Sequence, residues 1–168
     1  MARLCWDVET DGLLDEVTTL HCIAIQDVDT MEESLYADLL VMDTQGTLEQ
    51  GVERLMNADL LIGHNLIKYD QPVIEKLTGK SLPKDKIFDT LVATRLVFSN
   101  VKDKDIVNYR NVKIPFYLGS HSLEAWGYRK GGMQKMQYYP VLDPKQPVYD
   151  PKVKRPKNEP RWKGSVFT

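Results

Sequence analysis

The sequence predicts an α/β domain whose mixed sheet is flanked by helices, followed by an irregular, proline-rich tail. Three observations carry that prediction. Three strand-like runs open the chain with short connections between them, the pattern of an antiparallel meander. From Asp59 onward, short apolar runs alternate with helical patterns. Finally, six of the nine prolines fall between Pro140 and Pro160, where neither a long helix nor a central strand can form.

The first strand is expected within Arg3 to Leu14 (RLCWDVETDGLL), which opens as a β-branched and aromatic run. A second spans Val17 to Asp27, and a third, after the acidic turn DVDTMEES, spans Leu35 to Met42. Thr47 to Met56 carries Leu48, Val52, Leu55 and Met56 at the spacing of one helix face, with Gly46 and Thr47 at its start. Asp59 to Gly63 (DLLIG) has the uninterrupted apolar character of a buried parallel strand. The next helix begins near Lys68, holds Pro72 in its first turn and closes at Gly79. Ile87 and Phe88 make a brief strand before the helix Thr90 to Phe98. Asn100 to Leu118 is polar and reads as a loop or lid. Ser120 to Tyr128 reads as a helix, capped by Ser120 or Ser122 with Glu124 in its first turn.

At 168 residues, 42% hydrophobic and 27% charged, the chain suits one domain with a sizeable core. We divide it at residue 143: a domain over 1–143 and a basic, extended or disordered tail over 144–168. The net charge of −2 selects no partner, but Pro144 to Thr168 holds seven Lys/Arg against two acids, leaving the preceding body acidic. Cys5 and Cys22 sit in strand-like runs and read as reduced core thiols, although a bridge between adjacent strands is open to them. There is neither a signal peptide nor an apolar run near membrane-spanning length, so no membrane partner is expected. Nothing in the sequence sets an oligomeric state.

The chemistry begins at Asp7 and Glu9. At i and i+2 on a strand they share one face. Two such charges 4 Å apart repel by about 4 kcal/mol at an effective dielectric near 20, which a divalent cation would offset. The second element is His64-Asn65-Leu66-Ile67-Lys68-Tyr69-Asp70, where a strand hands over to a helix. Strand C-terminal ends line the ligand crevice of such sheets, so Asp70 is expected to face the same mouth. Three carboxylates there make an oxygen-rich site suited to Mg²⁺ or Mn²⁺ and not to zinc. His64 can serve as a ligand or as a hydrogen-bonding core residue, the second being favoured. Asn65 can both donate to and accept from a sugar or phosphate. Lys68 is a phosphate contact or a solvated helix charge.

These residues carry a family resemblance. DVETDGLL resembles the first motif of the DEDD superfamily of 3′–5′ exonucleases, and HNLIKYD its second. DTLVATRLV and GSHSLEAWGYR resemble the proofreading domain of family A DNA polymerases of short-tailed bacteriophages, the likeness covering roughly Met1 to Met133. It implies a ribonuclease H-like fold and two-metal hydrolysis of a phosphodiester, with ions about 4 Å apart clamping the entering and leaving oxygens. By that likeness Asp7 would bridge both ions. Glu9 would hold one and help position the water, and Asp70 would bind the second ion. Thr10 and Leu13 match positions that contact the terminal nucleotide. The implied substrate is the 3′ end of a single-stranded or frayed DNA. The implied partner is a polymerase domain, in the same chain or a separate one. The implied compartment is the cytoplasm of an infected bacterium.

The family's third motif, a Tyr or His ahead of a fourth acid on a late helix, has no clear counterpart. Tyr139 and Asp143 have the Tyr-x-x-x-Asp spacing, but Pro140 and Pro144 forbid the helix that would align them. Asp150, beside Tyr149, is a weaker candidate. With three acids in place of four, the second ion site would be weak or empty. The alternative reading is therefore a catalytically impaired relative that binds single-stranded nucleic acid or a polymerase partner.

Overall fold

Through RLCWDVET, alternate side chains turn to opposite faces of β1 (Arg3–Thr10). Leu4, Trp6 and Val8 are buried on one face, while Cys5, Asp7 and Glu9 lie half-exposed on the other. The structure, a computed structural model, describes residues 1–38, 44–112, 114 and 117–131. Around β1 stand β2 (Leu20–Asp27), β3 (Glu33–Tyr36), β4 (Leu60–Gly63) and β5 (Ile87–Asp89), in the order β3-β2-β1-β4-β5. β1, β2 and β3 pair antiparallel, whereas β4 and β5 run parallel to β1. The meander and the parallel strand β4 are as predicted, although Leu60 and Ile62 on one face of β4 are half-exposed, and the arrangement is the expected ribonuclease H-like α/β fold.

Helix α1 (Leu48–Met56) starts at a capping box, with Thr47 and Gln50 each bonding the other's backbone N–H. It packs on β2 and β3. That contact is close: a Cβ on Gly51 would lie 2.8 Å from the Tyr36 Cβ. Arg54 then reaches back to donate to the Ser34 and Tyr36 hydroxyls, at 2.7 and 3.0 Å. Helix α2 (Asp70–Thr78) has Pro72 in its first turn, where the missing N–H has no helical partner to lose. It stops at Gly79, whose φ of 69° lies in the left-handed region. Leu4, Trp6, Val8, Ile23, Ile25 and Leu61 of the sheet meet Val52, Leu55, Val73 and Ile74 of these helices in the core. Each such side chain contributes about 1.5–3 kcal/mol on burial.

A short 3-10 turn at Lys84–Lys86 leads into β5, and then come α3 (Thr90–Val97), α4 (Val101–Asn108) and α5 (Leu123–Arg129), the last capped by Ser122. Helix α4 corrects the expectation of a loop over Asn100 to Leu118. VKDKDIVN has little apolar pattern, and the helix is held by tertiary contacts: Val101 is buried, and Asp105, 1% exposed, pairs with Arg129 of α5. Two strand boundaries also move. β2 starts at Leu20, not Val17, although Val17 is buried, and β3 lies at Glu33–Tyr36, ahead of the expected Leu35 to Met42. Residues 39–42 of that run are outside the described residues.

Cys5 and Cys22 are free and half-buried, not deep core. The β1–β2 register sets Cys5 opposite Gln26 and Cys22 opposite Glu9, which separates the thiols by four residues along the ladder and excludes a bridge. No helix among the described residues is long and apolar enough to cross a membrane. The proposed tail and the third-motif candidates Tyr139, Asp143, Tyr149 and Asp150 lie outside the described residues.

Candidate active site

The pairing of β1 with β4 covers Arg3 to Cys5, so past that point the β4-side edge of β1 is free to take another partner. Asp70, the first residue of α2, takes that place: its Oδ1 accepts from the backbone N–H of Val8 at 3.4 Å. Val8 lies between Asp7 and Glu9, so the Asp70 carboxylate is set against the strand segment that carries both. It is 3% exposed. Burial pushes its pKa up to about 6, against the pull of the Val8 N–H and its own, and the charges of Asp89 and Glu9 push the same way. Glu9 and Asp70 thus lie within each other's electrostatic field. Among the described residues, however, no three His, Cys, Asp or Glu side chains stand close enough together to hold an ion as a set.

Taken singly, these donors are carboxylate oxygens, the type that hard divalent cations take, and burial disfavours Asp70 as a bare anion. The disfavoured charge gives a prediction for metal-free protein. The folded value of Asp70 lies above the ordinary carboxylate value, so ionised Asp70 weakens the fold as pH rises from about 4 to about 6. At neutral pH the penalty is on the order of 2–3 kcal/mol. In EDTA at pH 7.5, Asp70→Asn is expected to melt roughly 5 °C above the wild type. The two curves should converge below about pH 4, and the variant should lose whatever gain Mn²⁺ gives the parent. A variant that melts lower at every pH would contradict this.

The turn between β4 and α2 is built by a residue that the sequence reading passed over. Asp89, buried at the end of β5, accepts from the backbone N–H of Asn65 (3.0 Å), Ile67 (3.1 Å) and Leu91 (2.9 Å). One carboxylate thus pins the turn that leads to Asp70 and caps α3. Asn65 has a φ of +71°, a left-handed conformation that Asn tolerates well. Gly63 must be small here, since a Cβ would fall 2.8 Å from the Trp6 carbonyl oxygen. The sequence signal for Asp89 was its place just before a helix, which announces a cap but not a second duty 22 to 24 residues upstream.

His64 is held by hydrogen bonds. The Thr90 hydroxyl donates to the Gly63 carbonyl at 2.9 Å, so the 2.9 Å contact between His64 Nδ1 and Thr90 Oγ1 has Nδ1–H as donor. Burial holds the imidazole below its usual pKa. Lys68 is exposed on the turn ahead of α2. Thr10 Oγ1 donates to the Tyr69 hydroxyl at 2.5 Å, which in turn donates to the Gly12 carbonyl at 2.6 Å, and Leu13 stands 74% exposed on the loop that follows. Asp7 and Glu9 are half-exposed on the open face of β1.

This chain is 38% identical over 135 residues, 76% of its length, to the DNA-directed DNA polymerase of Escherichia phage T7. The chain is homologous to part of that polymerase. The DNA-directed DNA polymerase of Enterobacteria phage T3 matches the same share at 39% identity. The chain spans 19% of the length of each of these relatives. No family model matches. Solved structures that the chain resembles in part include the apo form of a nuclease (TM-score 0.46, 19% identity, 71% of this chain and 57% of that one). Another is Brucella melitensis NrnC with bound Mg²⁺ (TM-score 0.44, 14% identity, 76% and 63%). A third is the family B DNA polymerase of Pyrobaculum calidifontis (TM-score 0.45, 14% identity, 78% and 18%).

Proposed function

We propose that this chain is a 3′–5′ exonuclease domain of a phage DNA polymerase, one that removes nucleotides from single-stranded or frayed DNA ends with Mg²⁺ or Mn²⁺. The observation that carries the proposal is the buried carboxylate of Asp70, at the N-terminus of α2, held against the Val8 N–H of the strand that carries Asp7 and Glu9. The homology to phage polymerases supports the same reading. The acids Asp7, Glu9 and Asp70 would hold the cations, with Asp143 as the candidate for a fourth ligand and Tyr139 for the aromatic that accompanies it. When bound, two divalent ions supply a nucleophile at neutral pH and neutralise charge on the leaving oxygen.

The chain's own groups do the rest. Glu9 orients the attacking water, and Thr10, Asn65 and Lys68 fix the sugar and phosphate of the last nucleotide. Leu13 offers that nucleotide's base an apolar surface indifferent to sequence. Residues 144–168 would add a phosphate-seeking arm. The polymerase body, on the same or a separate chain, is the proposed partner, and the cytoplasm of an infected bacterium the proposed setting.

The test is end-labelling. A single-stranded DNA labelled at its 5′ end should shorten into a ladder when Mg²⁺ or Mn²⁺ is added, whereas a 3′ label should leave as a single nucleotide. The absence of three converging ligands among the described residues gives weight to a second reading, an impaired relative that only binds. That reading wins if the strand stays whole in both metals while being retained by the protein.

A further inference from the structure

The loop after β1 is tied to α2 at two points that flank Leu13. On one side the Tyr69 hydroxyl donates to the Gly12 carbonyl at 2.6 Å and meets the Thr10 hydroxyl at 2.5 Å. On the other, Lys76 Nζ donates to the carbonyls of Leu14 and Asp15, at 2.8 and 3.2 Å. Tyr69, the N-cap residue of α2, and Lys76, in its last turn, thus hold the loop from the two ends of the helix. The Leu13 carbonyl is itself engaged, accepting from the N–H groups of Glu16 and Val17 at 2.9 and 2.7 Å. Backbone before, at and after residue 13 is therefore fixed, while its apolar side chain stands in solvent. A loop held on three sides with its apolar residue outward has its surface pre-formed for a ligand, because the ordering entropy is already met in the free protein.

We infer that Tyr69 and Lys76 are positioning residues: together they clamp the Gly12–Asp15 loop to α2, so that Leu13 meets a nucleobase in the orientation set by the helix that begins with Asp70. Neither clamp residue touches the base. The inference rests on the nucleic-acid reading above, but not on catalysis. It predicts that loosening the clamp weakens binding through Leu13 and leaves cation binding alone.

The experiment measures the affinity of the intact chain for a 5′-fluorescein oligothymidylate by anisotropy in Ca²⁺. Hydrolysis of the same strand in Mg²⁺ is measured alongside. Tyr69→Phe and Lys76→Met are made singly and together. The pair should weaken binding about tenfold and each single change less, the scale expected when a fixed side chain and loop must be ordered on binding. In a Leu13→Ala background the same pair should have almost no further effect, because the three residues act as one unit. Mn²⁺ affinity should be unchanged. Binding equal to the parent's in the pair or in both singles overturns the clamp, and so does a loss that adds in full to that of Leu13→Ala. A parent that binds without hydrolysing defeats the exonuclease reading while the clamp is still scored by affinity. A parent that does not bind at all overturns both.

Discussion

Asp7→Asn is expected to leave the protein folded and still bound to single strands, while its metal-dependent shortening of DNA falls on the order of 10²-fold or more, as on loss of other preorganised charge-stabilising groups. The substitution is close to isosteric on the half-exposed face of β1, opposite Ala24 in the register, so the core face of Leu4, Trp6 and Val8 is untouched. Asp7 carries a charge that, in the proposed reaction, must face cations. Asn keeps the shape and removes the charge. Phosphate contacts and base stacking do not depend on it, so affinity in Ca²⁺ should hold within a few-fold. Initial rates on a 5′-labelled strand, with melting curves of both proteins, check this. A rate within threefold of the parent would remove Asp7 from the chemistry.

The second large effect lies away from the acids. Arg129 Nε and Nη2 donate to the two oxygens of Asp105 at 2.8 and 2.6 Å, and its Nη1 donates to the Ser120 carbonyl at 2.7 Å. Asp105 also accepts from the Gly119 N–H at 2.8 Å, and the guanidinium lies 5.0 Å over the Trp126 ring. This pair joins α4, the turn before α5 and α5 itself. Arg129→Ala leaves a carboxylate buried without its counter-charge, a change that destabilises by about 3–5 kcal/mol. Arg129→Lys should fall between, since an ammonium cannot reproduce the fork.

The pH dependence has a definite sign. Arg129 holds the Asp105 carboxyl below its usual range, so its contribution is present above the ordinary carboxylate value and is lost as pH falls through the folded one. In Arg129→Ala the stranded carboxyl can be relieved by protonation. The gap between parent and variant in urea unfolding should therefore be widest near pH 7 and shrink below pH 4. A gap that is small, or constant across that range, would show the pair contributes little.

Much of this was legible in the chain because the relevant signals are local. Gly46 and Thr47 mark the start of α1, Pro72 and Gly79 bracket α2, and the i, i+2 acids of β1 fall on one face wherever the strand is placed. DLLIG could be read as a parallel strand from its uninterrupted apolar run, although only Leu61 and Gly63 are fully buried.

What escaped was non-local. Helix α4 has a weak face of its own and depends on an arginine 24 residues away. Asp89 resembles an ordinary cap until the fold brings the β4–α2 turn beneath it. Tyr69 read only as part of HNLIKYD, and only the folded loop gives its hydroxyl two partners. The thiols read as core because strand composition does not say which face of the sheet is covered, and here theirs is half-open.

The most direct test of the shared-cation site is anomalous scattering from crystals soaked in Mn²⁺. A peak within coordination distance of both Asp70 and an acid of β1, lost in Asp70→Asn, is the predicted result. Manganese bound elsewhere, with Asp70 holding only the Val8 N–H, would contradict it.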